Sequence, residues 1–331
     1  MKLLSASVAT LFVAHSAAAV ERYQGPKGID VPPPTYPVSE RRDRAEGWVI
    51  VNFMIDRQGQ PYELSVSDST GNHVLEQAAL EQVEKWRFEP ATLNGKPVDA
   101  GDHVKMEFVL TNIKRGTSFH FGNLYKQAVK AIEAGDQKTA DGKLALLKPY
   151  NLSEDAWLGV VQYMYCRKWC TGWQQLTALR RAVADEKTPR FLPQPILVSM
   201  LEAEVALELG LQDYARALRT WDTLHALGLA EATRSKWQGA IDEIETLRSS
   251  DKAYAVMGEF GDQSSWFFEP LKRKLQVEVL SGSIAEIKLR CARQYVFFRF
   301  DPSVQYTIAD DDQCSMEMVG QPGTKFRLTQ M

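Results

Sequence analysis

Histidine is scarce in this chain, five in 331 residues, and the four beyond the first nineteen stand apart: His73, His103, His120 and His225. They form no His-x-x-x-His or Cys-His spacing, so the ligand patterns of ordinary zinc centres are missing. No phosphate loop and no Gly-x-Ser-x-Gly elbow occurs, which removes the common signatures of nucleotide and serine-nucleophile chemistry. Ser249-Ser250-Asp251-Lys252 satisfies Ser-x-x-Lys, but without companion motifs it reads as a solvated helix end. Positive charge is not in excess either: 39 Lys and Arg against 42 Asp and Glu give a net charge of −3. With no basic stripe, nucleic acid is not expected as a partner. No cofactor is implied, and these gaps favour binding over catalysis.

Long apolar runs are also lacking, except at the start. Met1-Lys2, the apolar run Leu3–Val13 and the small residues Ser16-Ala17-Ala18-Ala19 have the three regions of a secretory signal, with cleavage expected after Ala19. The run is far short of the roughly 20 residues a spanning helix requires. A periplasmic location follows, with no stable membrane span after cleavage; an uncleaved inner-membrane anchor is the alternative. The chain has only four cysteines, an even number in an exported protein, spaced as Cys166…Cys170 and Cys291…Cys314. Disulfides are the natural reading in an oxidising compartment. Bridging the i,i+4 pair Cys166 and Cys170 is possible but usually needs a helix end or a distortion.

What is present is concentrated between Pro34 and Leu110. Trp48–Ile55 alternates with Val49, Val51, Phe53 and Ile55 on one side, which predicts a strand with one strongly apolar face. Asp56-Arg57-Gln58-Gly59 reads as a turn, and Tyr62, Leu64 and Val66 continue as a second, antiparallel strand. Leu75, Ala78, Ala79, Val83 and Trp86 then recur at helical steps behind an Asn72 cap. Asn94-Gly95 marks a hairpin, and His103–Leu110 alternates again. The order is strand, strand, helix, strand.

These residues carry a resemblance. Tyr36-Pro37, Gly47-x-Val49, Phe53-x-Ile55-Asp56-x-x-Gly59, Ser67-x-Ser69-x-Gly71, Leu75, Ala78-Ala79, Trp86-x-Phe88-x-Pro90-Ala91 and Gly95-x-Pro97-Val98 together resemble the C-terminal domain of the TonB energy-transducer family. The likeness covers about residues 30–112. It implies a protein partner in the envelope, such as a TonB-dependent outer-membrane transporter, whose extended segment pairs with the third strand, here His103–Leu110. The partner-binding residues implied are Pro34, Tyr36 and Pro37 in the lead-in and His103, Lys105 and Glu107 on the strand; Tyr36 packing on the sheet is the plainer alternative. The departure from the family is at the start, where residues 20–33 form a Pro/Gly-rich arm of about fifteen residues in place of a long proline-rich spacer and membrane helix.

From Phe119 to about Leu247 the pattern is helical. Ile132-Glu133-Ala134-Gly135-Asp136 and Leu207–Asp213 each end one helix and begin another, and Tyr163–Val183 fits a degenerate middle copy, so the segment resembles tetratricopeptide-type hairpins. A plain helical bundle is the alternative. Pro189, Pro193 and Pro195 mark a loop between helix pairs, and the aromatics of Tyr163–Trp173 line either a concave face or the core. Ser249–Pro270 reads as a transition. Short strands after it predict a small antiparallel sandwich or partial barrel stapled by Cys291 and Cys314. Asp310-Asp311-Asp312 offers hard oxygen ligands to Ca²⁺, but without a Gly-spaced loop it reads as a polar hairpin tip.

The expected fold is therefore α+β and multidomain: signal 1–19, arm 20–33, TonB-like domain 34–112, helical array 119–250 and β domain 271–331. The expected function is that of a periplasmic adaptor, not an enzyme, engaging an envelope protein by strand addition. The alternatives are an anchored energy transducer and, more weakly, an envelope enzyme such as a peptidoglycan hydrolase.

Overall fold

The computed structural model describes residues 22–110, 116–184, 191–228, 231–261, 264–308 and 314–331. The signal segment, Pro189 and Asp310–Asp312 lie outside the described residues. No described helix is long and apolar enough to cross a membrane.

The N-terminal arm contributes two short strands, β1 (Tyr23–Gln24) and β2 (Lys27–Asp30), and a short helix α1 (Val38–Asp43) follows it. A three-stranded sheet follows, made of β3 (Gly47–Ile55), β4 (Pro61–Ser69) and, beyond helix α2 (His73–Val83) and three short strands, β8 (Ala100–Phe108). The short strands are β5 (Arg87–Glu89), β6 (Ala91–Leu93) and β7 (Lys96–Val98); β5 pairs with β2, and β6 with both β1 and β7. The arm is thus zipped onto the domain as strands, and the Trp86 indole fixes it further by donating to the Pro32 carbonyl at 2.9 Å. Asn94 and Gly95 both take positive φ, 53° and 78°, the conformation a two-residue hairpin turn demands.

The sheet order is β4-β3-β8, all antiparallel. Asn72 caps α2 by accepting from the Val74 and Leu75 amides. The helix lays Leu75, Ala79 and Val83 on Val49, Val51, Phe53 and Ile55. The sequence predicts one apolar face for β3, but Trp48 and Met54 on the opposite face are also buried. The run Gly47–Ile55 is apolar at nearly every position because both faces are covered, the second by the rest of the chain.

The helical part comprises α3 (Phe119–Ala134), α4 (Gln137–Leu146), α5 (Leu152–Trp169), α6 (Gly172–Ala182), α7 (Gln194–Gly210), α8 (Tyr214–Ala226) and α9 (Glu231–Ser249). α3 with α4, α5 with α6, and α7 with α8 pack as successive hairpins. Gly135 closes the first turn in the left-handed conformation; in the third that conformation falls on Gln212, φ 62°, one residue before the Asp213 cap. The middle hairpin begins at Leu152, eleven residues before the sequence pattern places it, because Asn151 caps α5 at the Glu154 amide. Tyr165 and Trp169 pack into the core of the first two hairpins, while Trp173 reaches the C-terminal sheets. Between α6 and α7 lies a buried charge cluster: the Arg180 guanidinium meets Asp213 at 2.9 Å, Glu208 at 3.3 Å and Glu204 at 3.7 Å.

Eight strands form a sandwich of two four-stranded sheets. They are β9 (Tyr254–Glu259), β10 (Ser265–Phe268), β11 (Lys274–Ser281), β12 (Ile284–Cys291), β13 (Tyr295–Arg299), β14 (Tyr306–Thr307), β15 (Cys314–Gly320) and β16 (Lys325–Gln330). The orders are β10-β15-β12-β13 and β14-β11-β16-β9, with Phe268, Ile287, Met316, Leu275, Phe326 and Leu328 between them. β9 and β10 fall in the segment the sequence reads as a transition. Cys291 and Cys314 are directly opposite on β12 and β15 and bonded, their Cα atoms 3.9 Å apart. Cys166 and Cys170 are bonded as well, 4.4 Å apart, and Cys170 is the residue where α5 leaves helical geometry.

Candidate partner-binding edge

β8 pairs with β3 along its whole length and is a terminal strand of its sheet. Its outer side therefore presents alternate amides and carbonyls with no neighbouring strand among the described residues. The other terminal strand, β4, is engaged elsewhere. The Thr70 carbonyl just beyond it accepts from the Arg181 guanidinium at 3.4 Å, and the Glu63 carbonyl accepts from Arg290 Nε at 3.3 Å. Glu63 has φ 50°, a left-handed conformation unusual for a side chain of its size, and lies where the β3–β4 register slips. That bulge turns its carbonyl toward the sandwich. Arg290 is itself buried against Glu317 at 2.6 Å, and Tyr62 meets Tyr295 edge-on with ring centroids 6.0 Å apart.

At the N-terminal end of β8 the turn between β12 and β13 comes close. A Cβ on Gly101 would sit 2.8 Å from the Cys291 carbonyl, and the Tyr23 hydroxyl donates to the Ala292 carbonyl. An added strand consequently has the stretch from His103 to Phe108, with the stapled turn as a stop.

The strand register sets His103, Lys105 and Glu107 opposite Asn52, Ile50 and Trp48, on the face turned away from α2. His103 is exposed. Lys105 instead reaches into the joint with the helical array: its ammonium donates to the Ala184 carbonyl, lies 3.4 Å from Glu107 and stands over the Trp48 ring. Lys105 is thus engaged with the helical array and Glu107 with Lys105, while His103 stands exposed. Tyr36 sits at the opposite end of β8 from His103. Its ring meets Phe108 edge-on at 5.7 Å, its hydroxyl donates to the Ala45 carbonyl at 2.7 Å, and the Arg41 guanidinium covers it. Burial and the nearby Glu46 and Glu40 carboxylates push the Tyr36 phenol up to about 12, so it stays a hydrogen-bond donor. Pro37 precedes α1, and Pro34 is half-buried beside this corner.

Several residues that position the edge carry no sequence signal. Glu46 accepts from the Leu110 amide at 2.9 Å with one oxygen and from the Leu152 amide at 3.2 Å with the other, so one carboxylate ends β8 and starts α5. Asp155 receives Arg181 and the Trp48 side chain; burial raises its pKa against the pull of Arg181. Among the described residues no group of three or more His, Cys, Asp or Glu is arranged to hold a metal ion.

Residues 32–110 match the family model described as Gram-negative bacterial TonB protein C-terminal. Protein TonB of Vibrio cholerae serotype O1 is 35% identical over 77 residues, covering 23% of this chain and 32% of that protein. Protein tonB2 of Pseudomonas aeruginosa is 35% identical over 79 residues, covering 24% and 29%. The chain therefore spans about a third of the length of the curated relatives it matches. The solution NMR structure of the Pseudomonas aeruginosa TonB CTD aligns over 28% of this chain and 91% of that one, at 26% identity and a TM-score of 0.23. The family model and the two sequence relatives identify the TonB C-terminal type for residues 32–110.

Proposed function

We propose that this chain, carrying a segment of TonB C-terminal type, is a non-enzymatic adaptor of the periplasm that captures an extended segment of an outer-membrane transporter or another envelope protein along β8. The observation that supports it most is the terminal position of β8 in a domain of that type, with its sister edge β4 already occupied. Main-chain bonds over His103–Phe108 supply affinity, and alternate side chains of the incoming segment supply selectivity. Tyr36, packed on Phe108, closes one end of the groove with Pro34 and Pro37 behind it; the Cys291–Cys314 turn closes the other. The helical hairpins, of tetratricopeptide-like character, and the sandwich hold the domain by its second face and add surface for further envelope proteins.

The experiment is fluorescence anisotropy of the full chain with extended peptides taken from transporter N-terminal segments. N-methylation of every second peptide amide is the decisive variation: the set that pairs with β8 abolishes binding and the alternate set leaves it. Equal loss with both sets, or binding to neither parent peptide, removes strand addition as the function.

A further inference from the structure

Two terminal strands, β4 and β9, have edge carbonyls capped by side chains. Besides those of β4, the Met257 carbonyl of β9 accepts from the Trp173 indole at 2.8 Å, and β14 is only two residues long. β13 differs. It is a terminal strand of the β10-β15-β12-β13 sheet, and five residues, Tyr295-Val296-Phe297-Phe298-Arg299, form it without a proline or lysine. Phe297 is 47% exposed, an unusual display for a phenylalanine on a strand with an open edge.

We propose that β13 is a self-association edge, pairing antiparallel with β13 of a second copy of this chain about a two-fold axis through Phe297. The strand is self-complementary in that register. Phe297 meets its own counterpart, Val296 lies opposite Phe298, and Tyr295 lies opposite Arg299. The cross-strand partners of β13 show which side each residue occupies: Val296 and Phe298 stand beside Leu289 and Ile287 at the sandwich core, while Tyr295, Phe297 and Arg299 share the outer side with Arg290, Lys288 and Glu286. Charge complements shape. The Glu63 carboxylate lies near the Tyr295 side chain, so the exposed Arg299 of the second copy arrives over the Tyr295 ring and toward Glu63, and symmetry repeats the contact. Two four-stranded sheets then join into one of eight. A five-residue ribbon buries less than the roughly 1,200 Å² of a standard interface, so the dimer is concentration-dependent. The pairing is independent of what β8 binds.

All four native cysteines are bridged, so a single introduced cysteine is the only free thiol. Directly opposed residues of antiparallel strands lie within disulfide reach, about 4.5–5.5 Å between Cα atoms. Mild oxidation of full-length Phe297→Cys is expected to give a covalent dimer at least tenfold faster than Phe119→Cys, although Phe119 is 87% exposed. A mixture of Tyr295→Cys with Arg299→Cys is expected to give more heterodimer than either variant gives homodimer. Sedimentation of the native chain over rising concentration should show a monomer–dimer equilibrium that Phe297→Lys, with unchanged circular dichroism, shifts to monomer. Equal crosslinking rates at positions 297 and 119, or a native chain monomeric at every concentration, overturns the proposal.

Discussion

Replacing Glu208 by Gln is expected to stabilise this protein in mild alkali and to do little in mild acid. Glu208 is fully buried on α7, and one of its oxygens finds no hydrogen-bond partner among the described residues. Arg180 is shared with Glu204 and Asp213, and Arg216 and Thr220 also face the site. Burial, first, and then Asp213 push its carboxyl from the ordinary 4.5 up to about 7, outweighing Arg180. The native state therefore holds this proton more tightly than the unfolded chain does. The associated stability is fully present below pH 4.5 and is lost as pH rises through about 7. A shift of that size corresponds to about 3 kcal/mol. Glu208→Gln keeps the shape and never ionises, so its urea midpoint at pH 8 should exceed the native one by the equivalent of about 1–3 kcal/mol. At pH 5 the two should agree within about 1 kcal/mol, the size of a single hydrogen-bond change. Asp68 and Asp155, both raised by burial, bend the native curve in the same direction. A variant no more stable than the native chain at pH 8 would refute the reasoning, because it would mean that Arg180 already offsets the cost of the buried charge.

Two other perturbations follow from the geometry. Gly59 and Gly71 share nearly the same positive φ, 80° and 83°, but a Cβ on Gly59 would lie 1.9 Å from the Phe88 carbonyl whereas Gly71 faces open space. Gly71→Ala should cost about 1 kcal/mol and Gly59→Ala several times more, read as paired thermal midpoints; equal costs would show that the backbone at Phe88 yields freely. Arg290→Met leaves Glu317 buried without its partner and should cost about 3–5 kcal/mol, much of which the double variant with Glu317→Leu recovers. Chemical denaturation of the two variants separates this from a packing loss, which the second substitution would not repair.

Local chemistry was the legible part of the sequence. Asn94-Gly95 specified its turn because few other residues tolerate two successive positive φ values, and the Asn72 cap and the alternation of β3, β4 and β8 follow from side-chain size and polarity alone. Long-range satisfaction was not legible. Glu154 and Asp155 look like solvated first-turn acids, yet both are buried, because Ser118, Arg181 and Trp48 come to them from distant segments. The same holds at the candidate edge: Lys105 has the alternation of a partner-facing residue, and only the position of Ala184 reveals its contact with the helical part. Trp48 and Met54 did carry a signal. Large apolar residues at the supposedly open positions of β3 indicate a second covered face.

The single carboxylate of Glu46 holds both the end of β8 and the beginning of α5. Its consequence is cooperativity. Opening the sheet at Leu110 deprives α5 of one of its N-terminal anchors, beside the Asn151 cap, and fraying α5 frees the end of the strand, so the two elements loosen more readily together than alone. Amide exchange at Leu110 and Leu152 should then proceed through one shared opening event, and a ligand that protects β8 should slow exchange in a helix it never touches.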